Sequence, residues 1–416
     1  MKPTPSQRFA IWSAVALAVL LYFSILTDAA RERWALSLFQ SGVFGLAIVW
    51  AIRMIFRPYR LSVSVLLVPL GGTALWGLLQ LFTNQTVYRF STWNGVLSWT
   101  TNFVLFFLAL QILYASEVHR AFRQALLYFG FALSVVSLIQ FFTSNGKVFW
   151  LFSAQYADQA LGPFVNRDHY ASFIALVLPL AIYAAVTERK KGVGYAAMAG
   201  AMFASVIAGA SRAGSILVTT EMAVLLFPVI LGGATPRRTP VANLTRVAFF
   251  AAVFTAVVGW GVLWERFKAP DPYRFRREML YSSVSMVRER PWSGFGLGTW
   301  STAYPAYAMF DIGGIANHAH SDWAEWGAEG GIPFFVMLLA VFLWSVRYAI
   351  RFPWGAGVVA VFLHGLVDFP LQKPPIAALT FVLLGALAAS AKDRPTSTAC
   401  RPGSAAIAER TGLMPP

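Results

Sequence analysis

Apolar runs of roughly 20 residues, the length a helix needs to cross the hydrocarbon core of a bilayer, recur along this chain. They lie near 9–27, 34–56, 61–82, 93–115, 121–143, 168–187, 192–210, 212–231, 244–264, 331–350, 354–371 and 374–391. In lipid each run must satisfy its own backbone polar groups, which leaves helices as the only solution for isolated segments of this length. The expected fold is therefore all-α integral membrane, with about 12 transmembrane helices. Composition agrees: 57% of residues are hydrophobic, 12% are charged and the mean hydropathy is +0.60, far from the balance of a soluble domain. Lys2 and Arg8 ahead of the first run give it the look of a signal peptide. It lacks a small-x-small cleavage site and further spans follow, so a retained anchor is expected.

The net charge of +15 does not point to nucleic acid, because the basic residues are spread over short loops instead of one soluble face. Their distribution fixes orientation. With the N-terminus inside, the inner segments carry Arg53, Arg57, Arg60, Arg120, Arg123, Arg189, Lys190, Lys191, Arg237, Arg238, Arg347 and Arg351. The short outer loops carry only Arg31, Arg33, Arg89, Lys147, Arg167 and Arg212. This positive-inside pattern places both termini in the cytoplasm and the long polar stretch 265–329 on the other side, between helices 9 and 10. The organisation expected is a polytopic membrane domain over 1–391, with 265–329 as a periplasmic catalytic loop within it. A disordered cytoplasmic tail follows over 392–416, rich in Ala, Ser, Thr and Pro. The single cysteine, Cys400, sits in that tail, so no intramolecular disulfide or thiol metal site is available.

Most reactive side chains fall in the 265–329 loop. Phe275, Met279, Val284 and Val287 share a helical spacing that leaves Arg274, Arg276 and Arg277 on another face, as in an amphipathic helix lying on the membrane. Pro291 ends it, and Gly294, Gly296 and Gly298 then make turns. This GxGxG follows no strand and is no dinucleotide fingerprint. The run NHAHSDWAEWGAEGG carries His318, His320 and Asp322 in HxHxD spacing. A two-imidazole, one-carboxylate metal site is conceivable there, but no further Cys or His in the loop supports it, and no metal is assigned. An imidazole that titrates near neutral pH better suits a base or substrate-orienting group, and His320 is the candidate. Arg212, at the start of a span, is either a snorkelling interfacial arginine or a phosphate ligand; the planar guanidinium can bind two oxygens at once. Glu329 reads as a helix-entry acid or a site residue. His364 and Asp368, four residues apart, read as a buried ion pair or hydrogen bond on one helical face. Arg167, Arg212, the loop and Asp368 all fall at the outer ends of their spans, so the reactive groups share one face.

The segment from Arg276 through RERPWSGFGLGTW to AHSDWAEWGAEGGIP resembles the signature region of the O-antigen ligase and O-antigen polymerase superfamily. There an arginine-led helix, a glycine-rich turn and a histidine–glutamate cluster occur in that order. GPFVNRDHYASFIALVLPLAI, SRAG and HGLVDFPL resemble three further blocks, so the resemblance runs from Gly162 to Gln372. It implies a bacterial inner-membrane glycosyltransferase that takes a glycan from undecaprenyl diphosphate, inverts the anomeric configuration, and uses no cofactor or nucleotide sugar. His320 would activate or orient the acceptor hydroxyl, and Arg212 and Arg276, with Arg277 beside it, would hold the diphosphate. Arg167, His318, Ser321, Glu329 and Asp368 would support them. Ser321 stands where the family usually has asparagine, and Leu280 where it has an aromatic residue, with Tyr281 next. The implied partners are an undecaprenyl-diphosphate-linked glycan donor, a glycolipid or polysaccharide acceptor, and membrane lipids, with no nucleic acid. Ligase is favoured because one large loop follows about nine spans. The alternatives are a polymerase joining lipid-linked repeats and, from another class, a transporter or lipid flippase. A transporter calls for charges near the midplane and paired broken helices, and neither pattern is visible.

Overall fold

The computed structural model describes residues 5–29, 33–57, 60–153, 159–188, 190–230, 238–268, 270, 273–311 and 313–392; the expected tail therefore lies outside the described residues. The chain forms α1 (Pro5–Leu26), α2 (Arg33–Phe56), α3 (Leu67–Phe82), α4 (Arg89–Ile112), α5 (Ser116–Thr143), α6 (Arg167–Thr187), α7 (Gly192–Ala208) and α8 (Arg212–Ile230). It continues with α9 (Arg238–Val258), α10 (Gly261–Lys268), α11 (Arg274–Glu289), α12 (Trp300–Ala303), α13 (Asp322–Arg351), α14 (Ala356–His364) and α15 (Pro374–Lys392). A hairpin of β1 (Lys147–Val148) and β2 (Phe152–Ser153) is the only sheet among the described residues.

This is an all-α membrane architecture. Among the described residues seven helices are long and apolar enough to cross a bilayer, or eight if α9 and α10 count as one span bent by 82°. Three further apolar stretches are shorter: α3, α7 and Pro353–His364. Several of the twelve expected spans come out differently. The ninth breaks where Gly259 adopts φ +81°, and α10 leaves at a steep angle. The eleventh is only the nine residues of α14, followed by a turn and a 3-10 segment, Pro370–Gln372.

Burial sorts the helices. α6 and α15 have 78% and 83% of their apolar windows buried, whereas α1 and α2 have about a third or less; helices apolar all round sit at the centre, as expected of a core. α15 packs on α4 and α7 on α9 at glycine contacts: a Cβ at Gly385 would lie 2.6 Å from the Phe106 carbonyl oxygen, and one at Gly200 2.7 Å from the Phe250 backbone. Such small-residue seams let helices approach closely without a hydrophobic driving force between them. Trp12, Ile48, Phe82, Val257 and Ile350 stand exposed on the outside, the surface a bilayer would cover.

The expected amphipathic helix is α11, but its buried face is Glu278, Met279, Ser282, Ser283 and Met286. Phe275 and Val284 are exposed. It packs against α13 and a small core of Phe295, Trp300 and Tyr304, so the protein itself takes up that face.

Candidate active site

The site is organised by the turn that follows α14. The Val367 carbonyl accepts a hydrogen bond from Arg276 Nη1 at 2.7 Å. Next along the chain, Asp368 is fully buried and its Oδ1 lies 3.5 Å from Nδ1 of His320. The Phe369 ring stacks on His318 with centroids 4.3 Å apart, and meets His320 and His169 edge-on at 4.8 and 5.1 Å. Asp322 clamps this turn from α13: its N–H donates to the Asp368 carbonyl and its Oδ2 accepts from the Leu371 N–H, both at 3.0 Å. Burial alone would push the Asp368 carboxyl up. The His320 contact and the nearby His169, His364 and Arg276 outweigh it and hold the group well below the usual carboxylate range.

His320 itself sits at φ +50°, in the sparsely populated left-handed region, and its side chain keeps 33% exposure. Strained backbone of this kind persists only where the surroundings over-determine it. They do so here. Ser321 caps α13, accepting from the Ala324 N–H at 3.3 Å and donating to the Gly365 carbonyl at 3.2 Å. His318 Nδ1 pairs with Glu325 at 3.0 Å, and the second Glu325 oxygen takes the Ala319 N–H at 2.9 Å. The HxHxD run is thus not extended, and its two imidazoles face different carboxylates.

A cationic cluster adjoins this pair. Asp168, in the first turn of α6, accepts a hydrogen bond from the Ser211 hydroxyl and lies 3.3 Å from Arg276 Nη2. Arg212, the residue after Ser211, donates to the Arg266 carbonyl at 3.2 Å. The guanidinium groups of Arg212 and Arg276 lie 5.2 and 6.0 Å from the centroid of one ring, Tyr273. Two half-buried guanidinium groups around one aromatic ring form a site suited to an anion with several oxygens.

The structure therefore brings together His320, Asp368, Arg212 and Arg276 from four distant segments. Arg277 is exposed and lies about 100° around the helix from Arg276. Arg167 is buried at 7% exposure, at the start of α6. Glu329 is buried and accepts the Trp300 N–H at 2.9 Å, so it ties the glycine-rich turn to α13. His364 and Asp368 do not form the expected pair. α14 ends at His364, which bonds Ser172 at 2.7 Å, and Asp368 turns to His320 instead.

Three residues escaped the sequence reading. Asp168 and Tyr273 each stood beside a basic residue that drew the attention. Gln80, in the last turn of the apolar α3, reaches the carbonyls of Ser293 and Glu329 at 2.6 and 2.8 Å and the Leu297 N–H at 3.1 Å. A glutamine buried to 2% in such a helix was the signal available.

Residues 174–339 match a family model described as O-antigen ligase. That stretch contains Arg212, Arg276, His318 and His320; Asp168 and Asp368, outside it, join the same site by geometry. No curated protein matches the chain.

Proposed function

The chain belongs, through that domain, to the O-antigen ligase superfamily, and from this membership we propose that it moves a glycan from undecaprenyl diphosphate to an acceptor hydroxyl at the periplasmic face of the bacterial inner membrane. The observation that carries the reading is the placement of His320 against Asp368, next to two arginines that share Tyr273. With Nδ1 directed to Asp368, the neutral imidazole that donates from Nδ1 presents Nε2 outward as the proton acceptor. The acceptor oxygen attacks the anomeric carbon as its proton passes to Nε2. The bond from that carbon to the diphosphate oxygen breaks, and the leaving group departs with the electron pair and the charge. Arg212 and Arg276 neutralise that charge where it develops, without metal or nucleotide sugar. Asp368 stabilises the imidazolium formed, the role of a buried carboxylate behind a catalytic histidine. The 3.5 Å separation is long, as such contacts often are before substrate tightens them.

Within the family we favour a ligase over a polymerase, because the chain has a single large polar loop, 265–329, late in its sequence. Deleting the gene tests this. A ligase deletion strain accumulates long glycans still attached to the lipid carrier, visible by mass spectrometry of extracted lipids. Accumulation of single repeat units without long chains identifies a polymerase instead.

A further inference from the structure

A cavity of about 380 Å³ lies between α2, α4 and the start of α15. It falls in the size range of small-ligand sites. Its mixed lining includes amides and a hydroxyl, Gln40 from α2 and Asn94, Ser98 and Asn102 from α4, beside the indole of Trp99, with Arg33 and Glu329 at its wall. Asn94, Ser98 and Asn102 recur every four residues, so they line up along one face of α4. Gln40 and Asn102 are only 7% and 9% exposed. Among the described residues their side chains make no hydrogen bond, although their polar atoms reach the cavity. Amides that open onto a cavity inside an apolar bundle take their hydrogen bonds from whatever fills it, and intramembrane polar groups are rare without a role. A ligand rich in hydroxyls satisfies them, and the aromatic wall suits a sugar ring.

The turn after α14 sets the direction. Val367 meets Arg276, Asp368 meets His320, and Leu371 and Gln372 line the cavity. The histidine–carboxylate pair thus stands between the arginine cluster and the cavity along this segment. We propose that the α2–α4 cavity binds a neutral pyranose of the acceptor glycan and directs its hydroxyl toward His320. The assignment to acceptor rests on the proposed transfer reaction; sugar binding as such does not.

The test uses the full-length protein in nanodiscs and saturation-transfer NMR with methyl glycosides of glucose, galactose and N-acetylglucosamine as probes. Transfer to the ring protons of at least one probe is expected. It should fall roughly ten-fold in Gln40→Leu/Asn102→Leu, the scale of one or two lost hydrogen bonds, and persist in His320→Ala. Ser98→Phe, which fills the cavity and removes no buried amide, should lose binding too, with monodispersity on size exclusion as the folding control. In turnover assays the double variant should raise the acceptor KM by a similar factor, with kcat and the donor KM retained. Absence of transfer to every probe, or transfer undiminished from wild type in both cavity variants, overturns the site. Binding that persists alongside an unchanged acceptor KM overturns the acceptor assignment. A failure of the reaction scheme itself appears separately, as full activity in His320→Ala.

Discussion

At the residue scale the decisive feature is the left-handed turn at His320, which sends two nearby imidazoles to different carboxylates. His320→Ala should lower turnover by about 10²-fold or more, the loss expected for a positioned acid or base. His318→Ala, which leaves the Asp368 pair intact, should cost far less; equal, mild losses in a purified assay would return both to structural roles. The histidines were legible in the sequence as HxHxD, but their partners were not. An extended reading of the run puts all three side chains on one side, and only tertiary packing reveals the turn. Asp168 shows the same limit: it adjoins Arg167, and the rotation of α6 decides which of them meets Arg276. Asp368 also carries a pH signature. Its folded pKa is depressed, so its stabilising contribution is fully present above the unfolded carboxylate value near about 3.9 and is lost only as pH falls through the lower folded value. The melting-temperature gap between wild type and Asp368→Asn should stay constant from neutral pH to about 4 and close below that. A gap that shrinks between pH 7 and 5 contradicts the depressed value.

Among the elements, α13 does the most to assemble the site. Its first turns carry Asp322, Glu325 and Glu329, and its remainder is apolar; the two parts meet at Gly331, where φ is +68° and the helix is kinked. A Cβ there would lie 2.7 Å from the Pro291 carbonyl oxygen. Gly331→Ala combines that clash with a positive-φ extended conformation (φ 68°, ψ −172°) that is essentially confined to glycine and costs an L-residue roughly 1–3 kcal/mol. It should lower thermal stability by about that much or more, and loosen the Pro291–Gly298 turn that Glu329 and Gln80 hold. Thermal unfolding in detergent monitored at Trp300 checks this, and a variant as stable as wild type refutes it. The punctuation Gly330, Gly331 and Pro333 was readable as the entry to a span. That the helix begins nine residues earlier was not, because the polar sequence 322–330 carries no hydrophobic period of its own. The short α14 is illegible in the sequence for the converse reason. Apolar residues from 354 to 371 read as one run, although the chain turns at Gly365 and starts a 3-10 segment at Pro370.

For the whole molecule, the question is which face of the membrane the site occupies. Asp168, Ser211 and the Arg276 helix meet in one place, and the cavity joins the starts of α2, α4 and α15 to Glu329 and Gln372. With α13, whose first turn holds the His320 turn, seven helices therefore present their N-termini to the site and its surroundings, and those ends carry the positive ends of helix dipoles, favourable to an anionic diphosphate. Packing assembles them without reference to inside or outside, so the face must come from charge. The loops at the opposite ends hold most of the basic residues, and by the positive-inside rule we propose that the site faces the periplasm. In a Cys400→Ser background, Ser301→Cys, exposed beside the glycine-rich turn, should react with a membrane-impermeant thiol reagent in intact spheroplasts. Thr239→Cys, at the start of α9 and hence the other end of the bundle, should react only after the membrane is opened. The reverse pattern places the arginines and His320 in the cytoplasm, where a periplasmic glycan acceptor cannot reach them, and the transfer reaction proposed here falls with it.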